Sequence, residues 1–414
     1  MTFVVRDEAD VLDVNLRAHR ALGVDAFAVL DNGSTDGTAE ILERWRAAGH
    51  AHVVTDPEAD TDEVFREWQT RLARLAATEL GADWVINNDA DEFWWPVRGD
   101  LKDAFGAVPD HANGLLAPRL EFVPRPDGPE PWWERMTVRE RHTRVLPKLA
   151  HRAAEDVRVG PGSHHVISPS LGIGETAGKP SLRGLRARPD QPPVIAPADQ
   201  FSCAIFHLPL RSFEQFRSRL GIGLRIARTR ESQQLEERIS EVIGEEVAAE
   251  RWRELVGDEQ SVRSRIAAGE LVEDSRLRDM LRAIGPPDDQ SVEPPRFAAE
   301  PPPEGPDAAR RELAREALAG LSHNHAQALG ERDAAAASAA AKHERMLNAR
   351  RKRRETGAAL RHKLARARKR ARRAERRLGR IEGSRWWRLR PRLPRRRREP
   401  LAAADEDRER PVRR

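Results

Sequence analysis

The chain has 414 residues, 39% hydrophobic and 34% charged, a polar mix with room for a sizeable core and for stretches outside it. The net charge of +5 hides a split: residues 341–400 hold 26 Lys and Arg against 5 Asp and Glu (net +21), the last 14 residues balance, and residues 1–340 carry 42 against 58 (net −16). The single cysteine, Cys203, excludes an intramolecular disulfide framework and a thiolate zinc cluster, and no apolar run is long enough to span a bilayer.

Met1–Val5 is too short for a leader and runs straight into charge, so the expectation is a cytoplasmic chain, with a peripheral membrane contact left open. Phe3-Val4-Val5 reads as a short buried strand. Asp10 to Leu22 carries Val11, Leu12, Leu16 and Leu22 on one helical stripe, with Gly23 as its C-cap. Ala26 to Leu30 is a second buried strand. Ser34, Thr35 and Asp36 are placed to cap a helix bearing Ile41, Leu42 and Trp45. Val53-Val54 reads as a third strand, and a helix from Asp62 to Leu80 stops at Gly81. Trp84-Val85-Ile86 is a fourth strand, ending in Asn87-Asn88-Asp89. This repeated alternation predicts an α/β fold with a mostly parallel, Rossmann-like sheet and helices on both faces.

From Asp100 to His207 the pattern shortens to strand pieces at Leu115-Leu116, Val145-Leu146 and Val166-Ile167. Ser170 to Gln200 is rich in Gly and Pro and reads as a long loop, and Phe201 to Leu208 as a last apolar strand. The expected organisation is a domain over 1–220, a helical extension over 221–283 and a Pro-rich linker over 284–307. A basic, Ala- and Arg-rich helical tail over 308–400 and a disordered terminus over 401–414 follow. The apolar positions of 308–380 read as too sparse for a heptad.

The segment Trp84 to Trp94 contains Asp89-Ala90-Asp91-Glu92. A buried strand there delivers three carboxylates to its C-terminal end, where open α/β sheets bind ligands. Carboxylates one residue apart share a hard divalent cation and leave sites for phosphate oxygens, which suits Mg²⁺ or Mn²⁺ on a nucleotide diphosphate. A solvated acidic turn is the plainer alternative. The stretch from Val29 to Thr38 ends a second strand in Asp31-Asn32-Gly33-Ser34-Thr35-Asp36-Gly37-Thr38. There Asp31 and Asn32 are suited to a base or ribose, beside an electropositive helix start.

Arg6-Asp7-Glu8, the Asp31–Thr38 turn and Asp89–Phe93 together resemble the family 2 glycosyltransferases of GT-A fold. Within these they resemble the subgroup with a D-N-G-S-T-D-G-T turn and a D-A-D-E-F segment; the match covers residues 1 to 220. The resemblance implies a nucleotide-sugar donor, a divalent cation and transfer to an acceptor hydroxyl with inversion. By position, Arg6 and Glu8 border the nucleotide, Asp31 and Asn32 contact base or ribose, and Arg71 lies near the nucleotide. Asp89 and Asp91 hold metal and diphosphate. Gly162-Ser163-His164-His165 and Phe206 to Phe213 resemble two later segments of the subgroup, which adds His164 and His207 as metal ligands and Arg211 as a diphosphate clamp.

An inverting reaction needs a carboxylate as general base. Glu121, Asp127, Glu130 and Glu134 lie in the right region, and Glu121, on a strand-like run, is the one selected. Trp132-Trp133 is a candidate acceptor-sugar platform. The tail has few aromatics to interleave with its charge, which disfavours nucleic acid. Clustered Lys and Arg with Trp386-Trp387 suit an anionic membrane surface through 341–400. The ending around Ser384 to Pro391 resembles that of some bacterial envelope-glycan transferases, which implies a glycan or lipid-linked acceptor. The rival reading is a non-catalytic scaffold with a decayed sheet domain and a working tail.

Overall fold

The computed structural model describes residues 1–57, 62–110, 112–143, 145–160, 162, 164, 166–173, 201–217, 245–256, 258–285 and 292–382. The expected loop over 174–200, part of the helical stretch after Ser212, the start of the Pro-rich linker, Trp386-Trp387 and the terminus lie outside them. The chain divides into two compact units, Met1–Gly330 and Glu331–Arg414.

The first unit opens with β1 (Thr2–Val5), α1 (Leu12–Ala21), β2 (Phe27–Asp31), α2 (Thr38–Ala47), β3 (Ala51–Thr55) and α3 (Asp62–Thr78). β4 (Trp84–Val85), β5 (Asn87–Asn88), β6 (Glu92–Pro96), α4 (Leu101–Gly106), β7 (Gly114–Ala117) and β8 (Arg119–Glu121) follow. Then come α5 (Trp132–Arg135), β9 (Val138–Glu140), β10 (Lys148–Arg152), β11 (Arg158–Val159), β12 (Val166–Ile167) and β13 (Cys203–His207). The described remainder holds α6 (Glu245–Val256), α7 (Glu259–Ala267), β14 (Leu271–Glu273), α8 (Arg276–Ile284) and α9 (Pro306–Glu382).

A parallel sheet in the order β3-β2-β1-β5 forms the centre. Alternation along its strands sorts the two faces. Phe3, Val5, Phe27 and Val29 pack with Leu12, Leu16 and Trp45 from α1 and α2. Val4, Ala28 and Leu30 pack on the other side with Trp68, Leu72 and Leu75 from α3. The expected mixed α/β architecture with helices on both faces is therefore what forms.

Two short chain segments join this sheet to the rest. Thr2 N–H donates to Ile86 O at 2.8 Å, so β4 and β5 run as one strand whose later half pairs with β1 and whose earlier half pairs antiparallel with β10. Likewise β7 pairs with β10, while β8, one residue on, pairs parallel with β13. β13 also pairs antiparallel with β6, the strand that follows the acidic turn.

Three sequence expectations change. Val145-Leu146 is not a strand; pairing begins at Lys148, because Pro147 has no N–H to donate to a ladder. Glu92–Pro96 forms a strand that the sequence reading left unassigned. Ser34 and Thr35 do not cap α2, whose N-cap is Gly37 with no side-chain cap bond. Ser34 instead donates to Asp31 at 2.6 Å and accepts from Asp7 N–H at 3.1 Å, while Thr35 N–H donates to Asp7 Oδ1 at 2.6 Å. The loops after the adjacent strands β1 and β2 are thus stitched to each other, and Asp7 holds φ 53° to do so. Gly23 ends α1 at φ 99°, as its expected C-cap role requires.

Within the first unit, residues 258–284 join the rest through β14, which pairs antiparallel with β9. The first turns of α9 present small residues, with Ala314 and Ala317 buried and Gly320 against the Val145 carbonyl.

His19 and His151 are wholly buried beneath the sheet ends. Burial lowers them to about 3 and about 4, so both rings are neutral in the fold. A group that binds its proton less readily folded than unfolded contributes stability fully above its unfolded pKa and loses it below. Stability should therefore fall from pH 6.5 toward pH 4, by about 1.4 kcal/mol per pH unit for each ring. Urea denaturation at pH 7, 6 and 5 measures it; a flat profile contradicts neutral buried rings.

Candidate functional site

Asp89–Glu92 is a turn between β5 and β6, closed by Glu92 N–H donating to Asp89 O at 3.1 Å. Polar side chains that the sequence hides inside apolar stripes hold it from below. Asn15, on the buried face of α1, donates to Ala90 O and Glu92 O, each at 2.8 Å. Its Oδ1 lies 2.7 Å from His19 Nδ1, and Trp94 N–H donates to His19 Nε2 at 2.9 Å, which fixes the proton on Nδ1. Asn88 adds a bond to Glu92 O at 2.8 Å and accepts from Trp94 Nε1 at 3.0 Å. Leu208 N–H donates to Asp91 O at 2.9 Å, which ties the turn to the end of β13.

Four cationic or ionisable side chains meet this turn. Lys148, on β10 and wholly buried, places its ammonium 2.6 Å from Asp89 and 2.5 Å from Glu92. Burial alone would lower its pKa, but the charges of Asp89 and Glu92 outweigh that and raise it. Arg211, also wholly buried, donates to both carboxylate oxygens of Asp10 at 2.8 and 2.9 Å, to Glu8 at 3.0 Å and to Leu208 O at 3.1 Å. Its guanidinium is 4.0 Å from Asp91. His207, at the end of β13, bonds through Nδ1 to Glu121 at 2.6 Å, and its Nε2 stands 3.7 Å from Asp91. Burial pushes His207 down, but the Glu121 bond and the Asp91 and Glu121 charges prevail and raise it. Arg119 completes the ring of charge, 3.6 Å from Glu92 and 3.3 Å from Glu121.

The sequence-derived residues divide accordingly. Glu8, Asp91, His207, Arg211 and Glu121 form one connected group. Asp31 joins it through Ser34 and Asp7, and Asn32, buried beside Asp31, donates its N–H to Val5 O at 2.9 Å. Arg6, partly exposed, has its closest carboxylate at Asp7, 4.0 Å away. Arg71 stacks over Trp68 at 4.4 Å; Trp68 is bonded to Asp56, whose N–H donates to Asp31 O at 3.0 Å. His164 turns Nδ1 to Pro147 O at 3.1 Å and is held neutral by burial, at about 4. The Gly-x-His spacing has a steric cause: a Cβ on Gly162, at φ 61°, would lie 2.9 Å from the His164 ring.

Of the other carboxylates in the base region, Glu134 pairs with Arg282 and Asp127 accepts from Phe213 N–H. Glu121 is the one bonded to the Asp91–His207 group. Trp132 is buried, packs 6.0 Å from Phe93 and donates to Asp10 O at 3.0 Å. It is core, so the exposed sugar platform expected at Trp132-Trp133 does not form on that ring.

For a divalent cation, Asp91 and His207 are the expected donors that face each other. Two ligands about 2.1 Å from one ion are about 3.0 Å apart when adjacent, so the observed 3.7 Å needs a small adjustment. Carboxylate and imidazole suit Mn²⁺, and Glu121 on the far nitrogen orients the ring as an outer carboxylate does in metal sites. Asp89 Oδ2 accepts from Lys148, and His164 turns Nδ1 to Pro147 O. Lys148, Asn15 and Asn88 escaped the sequence reading. The signal for Lys148 was a Lys inside the apolar run Val145–Ala150, and for Asn15 a His four residues on; Asn88 carried none.

No family model matches the chain, and no curated protein matches it. Among solved structures, Staphylococcus aureus TarS 1–349 in complex with UDP-GlcNAc aligns at 14% identity and a TM-score of 0.29, covering 56% of this chain and 68% of that one. TarS 1–349 without that ligand aligns at 13% identity and 0.27, covering 56% and 66%. S. aureus TarS aligns at 14% and 0.26, covering 56% and 40%. The chain thus spans under half of that last protein, and likeness at these scores carries no argument about its chemistry.

Removing the ammonium between Asp89 and Glu92 leaves a buried carboxylate without its partner. Lys148→Met should lower stability by about 3 kcal/mol in urea denaturation. Adding Glu92→Gln should recover much of that loss; a Lys148→Met chain as stable as the parent contradicts the pairing.

Proposed function

We propose that this cleft is the active site of a glycosyltransferase that takes a sugar from a nucleoside-diphosphate donor and passes it to an acceptor hydroxyl with inversion. One observation carries the reading. At the C-terminal ends of β1, β2 and β5, hydrogen bonds join Asp31 to Ser34 and Ser34 to Asp7, Glu8 to Arg211, and His207 to Glu121, and Asp91 stands 4.0 Å from Arg211 and 3.7 Å from His207. That edge of an open parallel sheet is where nucleotides bind. The motifs Arg6-Asp7-Glu8, Asp31–Thr38 and Asp89–Phe93, which resemble those of the GT-A enzymes, all fall on it.

In this reading Asp31 and Asn32 meet the base or ribose, with Arg6, Glu8 and Arg71 around the nucleotide. Asp91 and His207 would hold Mn²⁺ or Mg²⁺, which would supply positive charge to the departing diphosphate. Asp89 serves the site as the anchor of Lys148. Arg211 acts by fixing Glu8, Asp10 and Asp91 relative to one another, since its donors are already engaged. Glu121 is the base that accepts the acceptor proton. The acceptor is a glycan or lipid-linked hydroxyl of a bacterial envelope. No described helix is long and apolar enough to cross a membrane.

Calorimetric titration with UDP, GDP and dTDP, with and without Mn²⁺, tests the donor side. One nucleotide should bind in a metal-dependent manner, and Asp91→Asn should weaken it at least tenfold, about 1.4 kcal/mol. Absence of metal-dependent binding for all three favours the non-catalytic scaffold. Glu121→Gln should lower sugar transfer by about 10²–10⁴-fold while nucleotide affinity stays within a factor of about three. Undiminished transfer removes Glu121 as the base.

A further inference from the structure

The second unit carries a surface that the cleft chemistry does not use. Taken over 308–380 the apolar positions are sparse, but over one stretch of α9 they fall into register. Gly357, Leu360, Leu364, Ala367, Ala371, Ala374 and Leu378 recur at alternating spacings of three and four. That is a seam of successive a and d positions, with Gly357, Leu364, Ala371 and Leu378 at a. The seam is open: Leu360 is 60% exposed, Leu364 53% and Leu378 56%. Large apolar side chains aligned on one exposed helix face mark a contact surface rather than scattered surface residues.

Charge states what kind of contact. Between residues 358 and 380 there are 11 Lys and Arg and one acidic residue, Glu375. The e and g positions that flank the seam are Arg361, Lys363, Arg368, Arg370, Glu375 and Arg377. Five of the six are cationic, and e and g charges set partner choice and orientation in a coiled coil. A second copy of this helix would place cation against cation along both edges of the seam, so self-pairing is opposed.

A membrane surface is a poorer fit. Interfacial helices use a broad face of Leu, Phe and Trp, whereas this seam is two positions in seven, with alanine at three successive sites. Small residues at the centre instead let a facing helix approach closely. Duplex nucleic acid would take the cations but has no use for the exposed leucines.

We propose that residues 357–378 of α9 are a coiled-coil docking seam for an acidic helix of another protein, with small or apolar residues at its a and d positions and Glu or Asp at e and g. The proposal is independent of the chemistry at the cleft.

The test uses the full chain and four probes at one ionic strength. These are a synthetic four-heptad peptide with Leu and Ala at a and d and Glu at e and g, oligoglutamate of equal charge, phosphatidylglycerol/phosphatidylcholine vesicles, and duplex DNA. The acidic heptad peptide should bind at least tenfold more tightly than oligoglutamate. Leu360→Gln/Leu364→Gln/Leu378→Gln, which keeps charge and helix propensity, should erase that difference with unchanged far-UV circular dichroism. Arg361→Glu/Arg368→Glu/Arg377→Glu should weaken the acidic peptide at least tenfold and gain affinity for a peptide with Lys at e and g. Equal binding of heptad peptide and oligoglutamate overturns the proposal. So does tighter binding to vesicles or DNA than to the peptide, or self-association in sedimentation velocity that the leucine substitutions abolish.

Discussion

Carboxylates crowd the end of the central sheet, and the cations that separate them set the form of the site. Asp89, Asp91, Glu92, Glu121, Glu8 and Asp10 stand within reach of Lys148, Arg119, His207 and Arg211. Glu92, Lys148 and Arg211 are wholly buried, where an unpaired charge is costly and a paired one is held in a single arrangement. The pairing therefore sets how the carboxylates are arranged at the sheet end. Asp89 and Glu92 are committed to Lys148, and Asp10 to Arg211. Asp91 lies between His207 and Arg211, at 3.7 and 4.0 Å.

The strand connections bring those cations to that place. β4 and β5 are one strand shared by two sheets, so the turn after it inherits β1 on one side and β10, with Lys148, on the other. β13 lies between β6 and β8, which sets His207 opposite both Glu92 and Glu121 in register. Arg211 follows four residues later and reaches back to the loop after β1. Asn15 and His19 then pin the turn from the helix beneath, with every polar atom of the Asn15–His19 pair directed at backbone or at each other. Rigid backing of this kind is what a site needs if its charges are to act on a ligand rather than relax around one another.

The two units carry opposite charge. The body is acidic, while α9 beyond Gly330 is strongly basic with an apolar seam. On the proposed reading a diphosphate donor would bring negative charge to the acidic cleft, and cations inside it would have to offset the repulsion that the body's net charge imposes. The basic helix faces the opposite requirement and suits acidic partners.

The sequence by itself determined the alternation of β1 through β5 with α1, α2 and α3, because period-2 and period-3.6 apolar patterns are local and strong there. It also determined that Asp31 and Asp89–Glu92 would share the C-terminal edge of a parallel sheet, since strand order and chain direction follow from the βα repeat. Only the tertiary structure decided the partners. Lys148 lies 59 residues from Asp89, Glu121 lies 86 from His207 and Arg211 lies 201 from Asp10, and no local pattern encodes which of several cations meets which carboxylate. Val145-Leu146 reads as strand by composition, yet pairing waits for Lys148, because ladder formation depends on the backbone donor that Pro147 lacks. The same division holds in α9: its helix is a property of local propensity, whereas its open leucine face shows only once the chain is folded.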